Sequence, residues 1–365
     1  MTTARRWCLV ALGVALLLAL PVAIGALPAR DSDVTAARLL ERVKASGAVT
    51  YSGYAESQGG LQLPVTDKFT DVADLLGQRT RLRVWWRGTN DWRVDVIDAT
   101  GETDLIHDAG GTTTWDYESD EAIRTNEPNF RLPRSADLLP SELGRRLLQD
   151  AAANQVTRIP PDRIAGRDAP GIRLTPSEPR TTVDHVDVWV DPDTGLPLRV
   201  SVYGKHERAP AMSTTFLQVS TQLPAASDTA FVLPPGAEMH FEDTVDIASA
   251  ADEFARVTPP DQLAGLHRRV IGDDLGAVGT YGRGVTLLVA VPLWDDAADP
   301  LRDQLVATPG ARIADHGTTL TVGPLSLLLT PERSLGLSWL LSGSVTVPTL
   351  TTAATELAEN PPVQR

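Results

Sequence analysis

Six histidines (His107, His185, His206, His240, His267 and His316) and one cysteine, Cys8, are the residues on which metal or thiol chemistry would have to rest. A zinc site needs three or four such ligands at short, repeated spacings. These histidines show no ligand spacing, and a lone cysteine can form no internal disulfide or redox pair. No serine sits in a G-x-S-x-G turn, and the sequence holds neither H-E-x-x-H nor a phosphate-binding P-loop. Gly282-Arg283-Gly284 lacks the third glycine of a dinucleotide loop and reads as a turn before Val285. Asp191, Asp193 and Gly195 follow the opening of a calcium loop, but its later glutamate is missing. Pro192 and Gly195 suit a tight connection, so a turn is expected there. Asp116 and Glu118 could pair as acid and base, yet in so carboxylate-rich a chain their spacing carries no weight. The expectation is a binding protein rather than an enzyme, with no metal and no cofactor.

Binding by such a chain must come from apolar faces, and the sequence displays them on strands. The clearest hairpin covers residues 81–97, with Gly88-Thr89-Asn90 as a three-residue loop whose last residue tolerates the left-handed conformation. That register sets Leu82 opposite Val96, Val84 opposite Val94 and Trp86 opposite Trp92, all on one face. The other face pairs Arg83 with Asp95, Trp85 with Arg93 and Arg87 with Asp91. A slip of one residue would scramble both faces. A second hairpin over residues 183–203 repeats the logic around the Asp191–Gly195 turn. Val186, Val188 and Val190 face Val202, Val200 and Leu198, and Trp189 meets Arg199 on the outer side. His185 is expected beside Tyr203.

Helices and shorter strands fill the rest. Residues 33–47 read as an amphipathic helix capped by Asp33, residues 69–76 as a short helix, and residues 135–152 as a longer one with Leu139, Leu143 and Leu147 on one side. Residues 104–107 and 112–117 pair through Gly110-Gly111, and residues 213–220 add a further strand. Residues 241–256 are acidic and lose the alternation, which marks a linker. Beyond it, helices are expected at 259–266, from Asp299-Pro300 onward, and at 348–358. Strands are expected at 285–291, 318–322, 325–329 and 338–345. The organisation is therefore an N-terminal segment (1–30), a β-rich domain (31–240), a linker (241–256) and a small α+β domain (257–365).

The amino terminus and the charge set the compartment. Arg5 and Arg6 precede the uncharged residues 7–29, long enough for a helix to span a bilayer with the arginines left in the cytoplasm. Residues 31–365 are then expected outside, anchored, or secreted if the small-residue pattern Ala23-Ile24-Gly25 is cleaved. Cys8 stands before the apolar run rather than at its end, the wrong place for lipoprotein acylation. With 33 basic and 47 acidic residues the chain carries a net charge of −14. That sign disfavours nucleic acid, and any lipid contact should be hydrophobic.

The strand and turn residues carry a family resemblance. Trp85-Trp86-Arg87 with Trp92-Arg93-Val94-Asp95 resembles strands of the LolA-like lipoprotein-carrier superfamily. Similar in the same way are Asp108-Ala109-Gly110-Gly111 before Thr114-Trp115-Asp116-Tyr117, the run from Val188 to Leu198, and Phe231-Val232-Leu233-Pro234-Pro235-Gly236. Tyr281-Gly282-Arg283-Gly284 and Leu341-Ser342-Gly343-Ser344-Val345-Thr346 resemble the second domain of the RseB/MucB type. The resemblance covers residues 33–358 and rests on loose strand-and-turn patterns. It implies an α+β fold, a curved antiparallel half-barrel with a helical lid, enclosing an apolar cavity for acyl chains. It also implies, for the RseB type, binding to a membrane-bound anti-sigma factor. The family's best-known regulators are soluble after signal removal, whereas residues 7–29 are long enough to remain as an anchor.

Two functions follow from these readings. One is lipid or lipoprotein binding at a cavity lined by the hairpin residues Leu82, Val84, Trp86, Trp92, Val94 and Val96, with Val186, Val188, Val190, Leu198, Val200 and Val202. The other is regulation through a membrane-protein partner. Read without the resemblance, the same twelve side chains would simply form a core.

Overall fold

Each strand of the first hairpin alternates apolar and charged residues, so each can bury one face and keep the other for ion pairs. The computed structural model describes residues 28–61, 70–98, 101–126, 131–242, 251, 257–269, 276–332, 337–360 and 363–364. Helix α1 (Ala36–Ala45) buries Leu39, Leu40 and Val43, and Thr35 rather than Asp33 caps it, accepting from the Arg38 N–H at 3.3 Å. Strand β1 (Tyr51–Gly59) and helix α2 (Thr70–Gly77) lead into β2 (Arg79–Gly88), β3 (Asp91–Ile97), β4 (Glu102–Asp108), β5 (Gly111–Asp116) and β6 (Glu121–Thr125). After helix α3 (Pro140–Leu148) come β7 (Val156–Ile164), β8 (Arg167–Leu174), β9 (Val183–Val190), β10 (Pro197–Gly204), β11 (Met212–Ser220) and β12 (Glu238–Glu242). They form one open sheet in the order β12-β6-β5-β4-β3-β2-β1-β11-β10-β9-β8-β7, with edges at β12 and β7. Neighbours are antiparallel except β12, which runs parallel to β6.

The expected registers hold for Leu82–Val96, Val84–Val94, Trp86–Trp92, Arg83–Asp95 and Trp85–Arg93. The turn is tighter than expected. Gly88 pairs with Asp91 across Thr89-Asn90, and Arg87 becomes a bulge that still reaches Asp91 at 2.7 Å. In the second hairpin Val186 meets Val202, Val188 meets Val200 and Trp189 meets Arg199, but Val190 pairs with Pro197 rather than Leu198. Asp191 Oδ1 accepts the N–H groups of Asp193 (2.9 Å) and Thr194 (3.1 Å), so the aspartate closes a turn. A side chain at Gly195 would strike the Arg42 carbonyl, and its φ of +78° suits glycine.

The helix expected over 135–152 is broken. Ser135–Leu138 form one 3₁₀ turn, Leu139 is extended, and α3 starts at Pro140. Proline keeps the residue before it out of the helical region, which is the cause.

The second unit also departs from expectation at its start. Instead of a helix over 259–266, Gln262–Leu263 pairs with Leu266–His267 around Ala264-Gly265, both at positive φ. Six strands follow: β13 (Gly279–Arg283), β14 (Thr286–Trp294), β15 (Arg312–Ala314), β16 (Gly317–Val322), β17 (Leu325–Leu329) and β18 (Leu337–Gly343). They form an antiparallel sheet in the order β13-β14-β18-β17-β16-β15. Helix α4 (Asp295–Ala307) begins four residues before the expected Asp299 and runs through Pro300; its Leu305 packs on Leu320 and Leu329. Helix α5 (Val347–Glu359) covers the opposite face, with Leu350 and Ala353 against Leu288 and Leu341. The molecule is thus α+β, a large open sheet with few helices beside a small sheet domain.

Residues 178–183 tie the two units together. Thr181 bridges Val345, the Thr182 N–H donates to the Ser344 carbonyl at 3.0 Å, and the Thr346 N–H to the Arg180 carbonyl at 2.8 Å. Val285 packs into the cluster built on Leu39, Leu40, Val43 and Leu148. Asp150 accepts from Arg269 at 2.7 Å and from the Gly284 N–H at 3.1 Å. The expected linker lies mostly outside the described residues, and its first two, Phe241 and Glu242, belong to β12. Most of residues 7–29, expected to span a membrane, likewise lies outside them. Among the described residues no helix is long and apolar enough to cross a membrane.

Candidate ligand-binding face

Because the pleat alternates, the twelve candidate residues fall on one side of the large sheet, the side covered by α1, α3 and the 3₁₀ turn. They are divided between two packed clusters. Leu82, Val84, Trp86, Trp92, Val94 and Leu198 are buried with Tyr51, Phe216, Leu138 and Leu139, and Val96 is partly buried at the margin. Val186, Val188, Val190 and Val200 are buried against α1 and α3, with Val202 partly buried beside them.

Across the first cluster runs a ladder of rings. Tyr51 stacks on Trp86 (5.9 Å, 6°), Trp86 on Trp92 (5.6 Å, 5°) and Trp92 on His107 (5.1 Å, 19°). Phe216 meets Tyr51 edge-on at 5.5 Å. The Tyr51 hydroxyl lies 2.5 Å from Ser141 Oγ, and burial raises its pKa well above the ordinary tyrosine value. The ladder extends the expected Trp86–Trp92 pair by two residues that alternation could have flagged. Tyr51 and His107 occupy inward positions on their strands.

The lid over the ladder is the 3₁₀ turn with Leu139, and one carboxylate holds it. Asp137 accepts from Arg131 at 2.6 and 3.1 Å, from Arg146 at 2.8 Å and from the Arg134 N–H at 2.9 Å. Burial works to raise the Asp137 pKa, but the bond and charge of Arg131, the Arg146 charge and the Arg134 N–H outweigh it and hold it at about 2. The Arg134 guanidinium lies 4.9 Å from the Trp92 ring centre and donates to Thr112 at 2.8 Å. Nothing in the strand patterning announced this clamp, because Arg131 and Arg134 come from irregular chain and Arg146 from α3.

The outer face carries an ion ladder. Arg83 reaches Asp95 at 2.6 Å and Glu102 at 2.5 Å, while Arg93 reaches Asp95 at 2.6 Å and Asp104 at 2.5 Å. Both guanidiniums lie near the Trp85 ring, at 5.0 and 5.5 Å. Oxygens of Asp95, Glu102 and Asp104 lie within 4.8 Å of one another, close enough to share a cation. Arg83 and Arg93 already supply the positive charge there. Burial and the neighbouring Asp95 charge push the Asp104 pKa up to about 7. Asp95 and Asp104 are almost wholly buried, so Arg93 is a structural ion, not the expendable surface residue its outward register suggests. Trp189 faces Arg199 at 5.5 Å, and His185 stacks on Tyr203 at 4.2 Å, both as expected. An open groove of about 320 Å³ between β1, β2 and β11 is lined by Ser52, Tyr54, Trp85 and Gln218. It was not foreseen from the sequence.

No protein-family model and no curated protein matches the sequence. Among solved structures, the MucA/MucB complex of Pseudomonas aeruginosa aligns over 87% of this chain and 96% of its own, at 17% identity and a TM-score of 0.50. The chain has a MucB-type fold. A separate MucB crystal structure aligns over 88% and 96%, at 15% identity and a TM-score of 0.46. A LolA superfamily protein from Nitrosomonas europaea covers 54% of this chain and 98% of its own, at 12% identity and a TM-score of 0.26. The MucB match takes in both units, the large sheet and the small one, and at this identity it is a likeness of fold.

Proposed function

We propose that this protein is a non-enzymatic lipid- or lipoprotein-binding protein of the cell envelope, taking an acyl chain on the helix-covered face of its large sheet. The observation that carries the reading is how that face is covered. Its apolar side chains run across most of the sheet, yet among the described residues α1, α3, Leu75 and Leu76 of α2, Val285 and the Ser135–Leu138 turn pack on them, with no second sheet. Short helical covers on a sheet open at both edges can move aside, and an acyl chain would replace their contacts with its own. All twelve hairpin residues named above would line that site. Native mass spectrometry of the full chain extracted in mild detergent tests the idea. Co-purifying acyl lipids are expected, and a consistently lipid-free protein that also rejects added fatty acids and their esters would end it.

The residues that follow the apolar stretch 7–29 are assigned to the outside of the cytoplasmic membrane, with that stretch as anchor. A cytoplasm-only reporter fused after Arg365 should stay silent.

A second reading is favoured by the two-unit match, since MucB in that structure is bound to MucA. In it, the small sheet domain recruits a membrane-bound anti-sigma factor or similar membrane protein, and lipid on the large sheet tunes that contact. Crosslinking in membranes should capture one integral partner. Capture that persists after the small domain is deleted would count against it.

A further inference from the structure

Ser57 on β1 and Thr214 on β11 stand directly opposite each other, both sealed from solvent, and neither hydroxyl has a hydrogen-bond partner. Thr80 on β2 is the other cross-strand neighbour of Ser57, so three hydroxyl residues form one row on the helix-covered face. The next row on the same face is apolar, with Leu82, Ala55 and Phe216 in register. Buried hydroxyls are nearly always hydrogen-bonded, and two unpaired ones side by side call for a specific acceptor. Directly opposed residues share a face about 5 Å apart, so two O–H groups can converge on one oxygen.

We propose that Ser57 and Thr214 form a polar subsite that donates hydrogen bonds to the carbonyl oxygen of a bound acyl chain. This rests on the acyl-binding function proposed above and adds the direction in which the chain lies. A carbonyl has two lone pairs and no charge, which matches two donors set in apolar surroundings; an ionised carboxylate would be costly there. Tyr51, the first rung of the ring ladder, is six residues back along β1, about 20 Å at the strand rise. The carbonyl end sits at the hydroxyl row, and the hydrocarbon runs along β1 to the aromatic rings. An acyl ester is favoured over a free fatty acid.

The test uses the full chain with three probes of equal chain length: methyl palmitate, palmitic acid and hexadecane. Ser57→Ala and Thr214→Val each remove one donor, and Thr215→Val on the opposite face is the control. Methyl palmitate should lose about fivefold in affinity with each substitution, the worth of one ordinary hydrogen bond. Hexadecane should bind all variants alike, and the control should bind like the parent. Palmitic acid should weaken as pH rises, whereas the ester should not. Carbonyl-labelled methyl palmitate should show a ¹³C shift that moves back toward its free value in both variants. Ligand-free thermal stability separates a ligand role from a packing role. Removing an unpaired buried hydroxyl should leave the melting temperature unchanged or raise it, while loss of a packing contact would lower it. Equal ester affinity in parent and variants would overturn the subsite and leave the acyl reading standing. If the parent binds none of the three probes, the acyl reading fails and the subsite with it.

Discussion

Trp86 and Trp92 lie ring over ring, 5.6 Å between centroids and 5° from parallel, directly across β2 and β3. Tyr51 extends the stack on one side and His107 on the other. Removing a ring from the middle leaves a void that neighbours in stacked register cannot fill. Trp92→Ala should therefore lower stability by about 3–5 kcal/mol, as large-to-small core changes do. Urea denaturation followed by circular dichroism checks this. A loss below 1 kcal/mol would mean that the ladder is loosely packed and the lid already yields.

The lid has its own lock. Asp137→Asn keeps the shape but removes the charge that Arg131 and Arg146 share, and should cost about 2–3 kcal/mol. The Asp137 pKa lies below its unfolded value, so its contribution is complete above about pH 4 and disappears as pH falls through about 2. Between those limits the parent should lose stability while the asparagine variant changes less. Parallel acid titrations of the two proteins would expose a wrong assignment.

Asp104 acts in the opposite direction. Its folded pKa is raised to about 7, so the folded state holds a proton that the unfolded chain releases near pH 4. Stability from this group is full below about pH 4 and is lost as pH rises through about 7. Asp104→Asn should flatten that decline and leave the protein more stable than the parent at pH 8. Melting temperatures from pH 5 to 8 decide it; parallel slopes for the two proteins would refute the assignment.

Val285 is the apolar peg between the two units. Val285→Asp places a carboxylate among Leu39, Leu40 and Leu148, and should separate the units without unfolding either sheet. Calorimetry of the parent should give one transition and of the variant two. A variant that still melts as one unit would show that the strand tie at Thr181 and Val345 is sufficient alone.

The hairpins were legible because two independent patterns, apolar pairs on one face and charge pairs on the other, demanded the same register. Arg83–Asp95 and Val84–Val94 could not both be satisfied after a slip. Local conformation was less legible where a single residue decided it. Pro140 broke a helix whose leucine spacing looked continuous, and Ala264-Gly265 turned a hairpin where Pro259 had suggested a helix start. Alternation put the twelve candidate residues on one side of the sheet, and the structure keeps them there. Their division between two clusters depends on where α1 and α3 land, and strand patterning does not encode that. The Asp137 clamp and the unpaired Ser57 and Thr214 were invisible for a related reason. The clamp gathers Arg131 and Arg134 from irregular chain and Arg146 from α3, and Ser57 meets Thr214 across two strands, so strand alternation marks neither.

The tie at Thr181 joins the small sheet to the chain just before β9 begins at Val183. From there the strand carries Val186, Val188 and Val190 straight along the wall of the apolar face. The small unit is therefore a handle on that wall. A pull on it arrives lengthwise, as tension on β9, the direction in which a hydrogen-bonded strand yields least. A push arrives sideways through Val285, against α1 and α3, which rest on the sheet by side-chain packing. One load thus meets the backbone hydrogen bonds of the sheet and the other only side-chain packing.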